Sequence, residues 1–237
     1  MNIWNDITHY TPNFKPYSLE HLIAVLLLCL AGYVLMRYAK SKPLRNQETI
    51  FQILCLVINA SVWFWLFNEV AYDRFEWEKD IPFVFCNLLA ALLPVFAFYR
   101  KKWLFNVIYY LVIIGAIMAI ITPSLKFKFP HYESIKFWAV HGGLLIVIFY
   151  SIIIFKYRPT FKGVVHTLLF VQVYVVIITV FNLTFGTNYL YLNTKPSNGT
   201  ILDLLGPWPW YVIFMDLLLI PFFLLSYLPF FLLKKKH

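Results

Sequence analysis

The 237-residue chain contains only three cysteines, Cys29, Cys55 and Cys86, and they stand far apart. This spacing excludes zinc fingers. No two histidines have the helical spacing of a metal site, and His131 with His141 is only a weak candidate for a pair of metal ligands. A glycine-rich phosphate loop, an internal repeat and a low-complexity segment are also missing. We therefore predict neither a metal nor another cofactor.

The amino terminus lacks the basic start and small-residue cleavage site of a signal peptide. We therefore expect the first apolar run to remain as a helix. Charged residues make up only 13% of the chain, whereas 61% is hydrophobic and the mean hydropathy is +0.71. A soluble core of this size could not bury so much apolar surface.

Apolar runs long enough to cross a bilayer fill most of the chain, since a crossing helix needs about 20 apolar residues. The sequence predicts an all-α polytopic membrane protein, a seven-transmembrane-helix bundle forming one domain over residues 1–237, because the connections are short. The predicted spans are 18–37, 50–71, 80–98, 104–122, 134–155, 164–186 and 208–232. All three cysteines fall within these spans, which makes disulfides unexpected.

The net charge of +9 is distributed unevenly between the two predicted sides of the membrane. Thirteen of the twenty basic residues follow the first, third, fifth and seventh spans, and Glu48 is the only acid on that side. Basic loops stay cytoplasmic, so we predict an outside amino terminus and a cytoplasmic carboxyl terminus. This placement favours anionic lipid headgroups over nucleic acid as the partner of the positive charge. We expect a multi-pass protein of a bacterial plasma membrane.

Polar groups concentrate in the outer halves of the predicted spans. Cys86, His141 and Asp216 each lie about two turns below the outer boundary, roughly 9–12 Å deep. Ionisable groups at such depth are costly and are candidates for function. The same halves contain Glu69, Asn87 and Asn182.

A thiol and an imidazole at one depth suit acyl transfer, in which Cys86 attacks an ester and His141 acts as general base and acid. A structural interpretation exists for each residue. Cys86 could be a small buried hydrophobe, and His141 could donate to a neighbouring carbonyl. Gly142 and Gly143 permit either close helix packing or substrate approach. Asp216 and Glu69 could join helices or orient His141.

Two outer segments are rich in Asn, Tyr, Trp, Gly and Pro, namely residues 186–196 and 204–211. This composition predicts a structured lid over the helix ends, with Asn188 and Tyr189 as candidate substrate contacts. Either Asn87 or Asn188 could donate to an oxyanion.

Several motifs together resemble the family of transmembrane protein 164 and the bacterial YwaF-type integral membrane proteins. The motifs are Pro82-Phe83-Val84-Phe85-Cys86, Thr122-Pro123, Phe129-Pro130-His131, His141-Gly142, Tyr157-Arg158-Pro159-Thr160, the loop from Asn188 to Pro196, and residues 204–211. The resemblance implies a helical bundle and, as in the animal member, a cysteine-dependent acyltransferase acting on phospholipids and lysophospholipids. The nucleophile and its partner would correspond to Cys86 and His141.

Val84 departs from this pattern, because bacterial relatives often have histidine two residues before the cysteine. This difference could weaken or abolish the activity. Two other functions remain open: a non-enzymatic lipid-binding or transport protein, and a lipid hydrolase that uses the same pair. Seven spans without a repeat fit an inverted-repeat transporter poorly.

Overall fold

The computed structural model describes residues 14–196 and 201–234, which contain helices and no strand. The seven long helices are α1 (Leu19–Lys40), α2 (Leu44–Ala71), α3 (Phe85–Tyr99), α4 (Lys102–Ile121), α5 (Tyr132–Ile153), α6 (Phe161–Phe185) and α7 (Trp210–Lys234). Two short 3₁₀ helices, Tyr189–Tyr191 and Ile201–Leu205, lie in the connection between α6 and α7. The predicted all-α polytopic bundle is confirmed.

Six of the seven helices are long and apolar enough to cross a membrane, and the chain is therefore a multi-pass membrane protein. The exception is α3, which has 15 residues and a length of about 22 Å. The direction in which the chain crosses the membrane stays a prediction, and part of its basic carboxyl end, Lys235 and Lys236, lies outside the described residues.

The bundle is built around α4 and α5. Helix α4 packs against α3, α5, α6 and α7, whereas α5 packs against α1, α2, α3 and α4. Helices α1 and α7 are peripheral, and most of their surface is exposed in the protein and faces lipid. Large aromatic side chains fill the space between the central helices, including Phe51, Phe96, Tyr110 and Tyr150.

The glycine pair of α5 allows two neighbouring helices to approach closely. A Cβ atom on Gly142 would overlap the Leu28 side chain of α1, and one on Gly143 would lie 2.6 Å from Ile58 of α2. The structure therefore uses these glycines for helix packing, as small residues are commonly used in membranes.

Helix α3 begins at Phe85, so the prediction of a span starting at residue 80 was wrong. Pro82 disfavours the helical conformation at Ile81, and residues 80–84 are irregular. Tyrosine hydroxyls satisfy this irregular backbone: Ile81 N–H donates to Tyr189 Oη at 3.1 Å, and Tyr174 Oη donates to the Phe83 carbonyl at 2.6 Å.

The start of α3 lies well below the ends of its neighbours on the side that is predicted to face outward. Tyr174 stands eleven residues before Phe185, about 16 Å down α6, and its hydroxyl reaches the Phe83 carbonyl. Irregular backbone at membrane depth is tolerated where protein surrounds it. The amino-terminal turn of α3 thus enters the outer half of the bundle.

The outer segment after α6 is structured, as predicted. Asn182 accepts from Thr187 Oγ1 at 2.6 Å and from the Tyr189 N–H at 2.9 Å. Trp208 Nε1 donates to the Leu192 carbonyl at 3.1 Å, which ties the start of α7 to the same segment.

Candidate functional site

Cys86 is the second residue of α3 rather than a residue two turns into a helix. Val84 caps the helix with its backbone only. Within residues 14–196 and 201–234, the N–H groups of Phe85, Cys86 and Asn87 have no hydrogen-bond acceptor. The first turn of a helix carries partial positive charge, so the thiol lies beside donors that favour an anion.

Cys86 is partly buried against the central helices. Its Sγ lies 3.5 Å from the position that a Cβ atom on Gly115 of α4 would occupy. The missing side chain at Gly115 therefore leaves the thiol room on the α4 side. On the α5 side, Cys86 lies within electrostatic range of Lys136.

Lys136 was missed by the sequence analysis. Its Nζ lies 3.9 Å from the centre of the Trp65 ring, a cation–π contact within the bundle. The carboxylates of Glu69, Glu133 and Asp80 lie within electrostatic range of it. These carboxylates favour the charged form of the ammonium group near the thiol, whereas its burial opposes the charge.

Glu69, predicted as an orienting residue, joins α2 to α5. It accepts a hydrogen bond from Tyr132 Oη at 3.2 Å, and Arg74 Nη1 donates to the same hydroxyl at 3.2 Å. Glu69 therefore acts on the site through Lys136 and Tyr132, and it makes no hydrogen bond to His141.

Asp80 lies just before α3 and is buried. It accepts from the Glu76 N–H at 2.7 Å. Burial raises the pKa of the Asp80 carboxyl.

His141 lies in the third turn of α5. Its Nδ1 is 3.0 Å from the Phe137 carbonyl, which can only accept, so Nδ1 carries the proton. The lone pair is therefore on Nε2, as a general base requires. No hydrogen bond joins His141 to Cys86 in the described part of the chain, although both are within electrostatic range of Lys136.

Asp216 lies at the predicted position in α7, but its partner is in α6. Gln172 Nε2 donates to both carboxylate oxygens at 2.8 Å. His141 lies in α5, so the suggestion that Asp216 orients this histidine was wrong; the carboxylate joins α6 to α7.

The remaining candidate residues of the outer segment form hydrogen bonds that stabilise the segment itself. Asn182 is the buried centre of the turn after α6, and Asn188 Nδ2 donates to the Thr194 carbonyl at 2.8 Å. Tyr189 Oη donates to the Trp77 carbonyl at 2.5 Å. In contrast, the Asn87 side chain has no hydrogen-bond partner among the described residues.

His131, half of the weak metal pair, caps α5. Its ring stacks between Phe127 and Tyr132, and its Nδ1 accepts from the Glu133 N–H at 3.2 Å. Burial lowers the pKa of His131 to about 4, and the positive charge of Arg74 adds to this effect. The described residues contain no group of three His, Cys, Asp or Glu side chains that could hold a metal ion.

A cavity of about 570 Å³ lies between α6 and α7. Val175 of α6 and Val212, Asp216 and Leu219 of α7 form its walls, residues 188–192 cover it, and residues 84–85 close the side toward α3. Neither Cys86 nor His141 lines it. The lining includes Phe85, the residue before Cys86, so the cavity reaches the first turn of α3 without including the thiol.

Two polar side chains near the candidate site, Lys136 and Gln172, were not predicted from the sequence. Lys136 stands five residues before His141, and its basic charge within an apolar run was the available signal. Gln172 is likewise the only amide side chain in the middle of α6.

The family comparison covers most of the chain. The model of the TMEM164 family matches residues 16–227. Neither a curated protein nor a solved structure gives a significant match. The match includes all seven helices up to the last turns of α7, and it confirms the resemblance carried by the sequence motifs. The chain belongs to the TMEM164 family.

Proposed function

We propose that the protein is a membrane-embedded acyltransferase that moves an acyl chain between phospholipid and lysophospholipid through a thioester on Cys86. The observation that carries the proposal is the position of the thiol. It lies in the uncapped first turn of α3, within the outer half of a membrane bundle and near the Lys136 ammonium group. The helix amino terminus and the ammonium group favour the thiolate, which is the reactive form, whereas burial of the sulfur opposes it.

In the first half-reaction, His141 Nε2 takes the thiol proton and Cys86 Sγ attacks the ester carbonyl of a donor phospholipid. The C–S bond forms, and the ester C–O bond breaks. His141 then gives its proton to the departing alkoxide, which leaves as lysophospholipid. Because thiol and imidazole are not hydrogen-bonded, the proton passes through a water or after a side-chain rotation.

The negative charge of the tetrahedral intermediate needs donors. The N–H groups of Phe85, Cys86 and Asn87 belong to the same helical turn as the partly buried thiol and have no acceptor among the described residues. Pre-oriented donors in such places are worth several kcal/mol, about 2.7–4 for one donor. Lys136, when charged, adds a positive charge from the α5 side.

In the second half-reaction, an acceptor lysophospholipid attacks the thioester through its free hydroxyl. His141 takes the hydroxyl proton, the C–S bond breaks, and the proton returns to the sulfur. A new phospholipid is formed, and no oxidant or cofactor is consumed. Val84 in place of histidine removes a second possible base, so we assign the base role to His141 alone.

The proposal is tested with purified protein in vesicles that contain a labelled diacyl donor and an unlabelled lysolipid. We expect labelled new phospholipid from the wild type and from Cys55→Ser, and none from Cys86→Ser or His141→Ala. Labelled free fatty acid instead of phospholipid would identify a hydrolase. Equal transfer by wild type and Cys86→Ser would contradict the proposal.

A second candidate is a non-enzymatic lipid-binding protein. The observation in its favour is that the described cavity excludes both Cys86 and His141. This candidate predicts lipid binding by every variant and no product from any of them. For the site of action, we propose the plasma membrane of a bacterium, in line with the distribution of basic residues.

A further inference from the structure

We infer that the cavity between α6 and α7 is a binding site for a single-chain lipid with a free hydroxyl, such as a lysophospholipid. The site is distinct from the Cys86 centre, and its role as the acceptor site rests on the proposed acyltransferase function.

The size and walls of the cavity favour one acyl chain. Its volume of about 570 Å³ falls in the range of sites for one small molecule, about 300–1,000 Å³. Val171, Val175, Met215 and Leu219 make the walls mainly apolar, and methionine adapts to flexible ligands. The outer surfaces of both helices are exposed, as at Val176 and Leu217, so lipid surrounds the cavity.

The roof of the cavity is held in place before any ligand binds. Tyr211 Oη donates to the Tyr191 carbonyl at 2.6 Å, and Trp208 Nε1 donates to the Leu192 carbonyl at 3.1 Å. A preformed site avoids the entropy of ordering a loop on binding.

Asp216 gives the cavity a chemical preference. Its carboxylate lines the cavity, and in the described part of the chain Gln172 is its hydrogen-bonding partner and no lysine or arginine pairs with it. Two carboxylate oxygens have several acceptor positions, and one amide nitrogen leaves some of them free. A hydroxyl group could donate a hydrogen bond to one of these free acceptor positions, and a lysolipid has such a group in its free glycerol hydroxyl.

The order of the lining residues matches the order of groups in such a lipid. Residues 78–79 and Asn188 lie at the outer end, where a headgroup belongs. Asp216 follows along α7, and Leu219 lies about one turn deeper, where the chain would enter the bilayer. Phe85 forms the wall next to Cys86, which places the hydroxyl region beside the first turn of α3.

The experiment measures lipid binding to the purified full chain by native mass spectrometry. The probes are lysophosphatidylcholine, its 2-O-methyl analogue and diacyl phosphatidylcholine. Val175→Trp fills the cavity, and Val176→Trp, on the lipid-facing side of the same helix, is the matched control. We expect the affinity for lysophosphatidylcholine to fall at least tenfold in Val175→Trp and to change less than twofold in Val176→Trp.

A second variant tests the hydroxyl contact without filling the cavity. The wild type should prefer lysophosphatidylcholine to its 2-O-methyl analogue by about tenfold, and Asp216→Leu should abolish the preference. Equal affinities of the two valine variants, no preference in the wild type, or equally tight diacyl binding would overturn the inference. Cys86→Ser should bind like the wild type, so loss of acyl transfer alone tests the proposed function and not this site.

Discussion

Charged side chains cluster in the half of the bundle that is predicted to face outward. Among them, Lys136 matters most for the proposed reaction, because it acts electrostatically on Cys86. An ammonium group within a membrane helix is costly unless other groups compensate for it. Here the Trp65 ring and the carboxylates of Glu69, Glu133 and Asp80 offset part of this cost. Lys136 also acts electrostatically on Cys86. The groups that stabilise the ammonium group therefore also affect the proposed reactivity of the thiol.

The role of Lys136 is tested by the rate at which N-ethylmaleimide alkylates Cys86, in a background with Cys29→Ala and Cys55→Ala. We expect Lys136→Met to slow alkylation about tenfold at neutral pH, because a cation near the thiolate is lost; this corresponds to about 1.4 kcal/mol. Lys136→Arg should retain most of the rate. Lys128→Met, an outer-loop change at a residue that pairs with Glu20 at 3.7 Å, serves as the control and should match the background.

Acidification should destabilise the protein through His131. Its pKa of about 4 in the folded state lies below the ordinary value of 6.5, so the unfolded chain binds a proton first. Stability is therefore complete above about pH 6.5 and falls as the pH drops toward 4.

The check compares melting temperatures at pH 7 and pH 4.5 for the wild type and His131→Asn, which can still cap α5. We expect a clearly smaller decrease in the variant. Identical decreases would show that other groups cause the acid sensitivity.

At the level of elements, close helix contacts depend on small residues and fixed polar side chains. A Cβ atom on Gly163 of α6 would overlap Asn106 of α4, whose Oδ1 accepts from the Thr160 N–H at 2.9 Å. This hydrogen bond prevents Asn106 from moving aside. Gly115, in contrast, has only the Cys86 sulfur at an ordinary contact distance of 3.5 Å.

Gly163→Ala should therefore lower the free energy of unfolding by about 1–3 kcal/mol, as overpacking does. Gly115→Ala should change it little, since the added methyl group finds space. Thermal unfolding of both variants in one detergent provides the comparison. A larger loss in Gly115→Ala than in Gly163→Ala would contradict the packing described.

The sequence predicted the helices better than their contacts. Apolar length located six spans, because each crossing needs a long hydrophobic run. The start of α3 was missed, since tyrosines from other parts of the chain support its irregular entry. Membrane-spanning helices are apolar on nearly all sides, so periodicity could not show which way Asp216 or Lys136 faces. Their partners, Gln172 and Trp65, depend on tertiary packing.

At the level of the whole molecule, the polar cluster and the cavity share one end of the bundle. Glu69, Cys86 and Lys136 lie near this end, and the cavity opens beneath the covering segment of residues 188–192. The opposite end has the basic connections after α1, α3 and α5, where Arg100 pairs with Glu48 at 2.7 Å. The charge distribution predicts that the polar end faces outward.

This orientation is testable with single cysteines in a cysteine-free background. Glu76→Cys lies in the loop between α2 and α3, and Arg158→Cys lies between α5 and α6. A membrane-impermeant maleimide added to intact cells should label the first variant and reach the second only after lysis. The reverse pattern would place the proposed site on the cytoplasmic side.

The most direct test of the account is the mass of the Cys86 peptide after incubation of the purified protein with a phospholipid donor and rapid acid quenching. The proposed thioester mechanism predicts the added mass of one acyl chain on Cys86, removable by neutral hydroxylamine and absent from Cys86→Ser. An unmodified Cys86 across a broad panel of donors, or an acyl group that persists in Cys86→Ser, would contradict it.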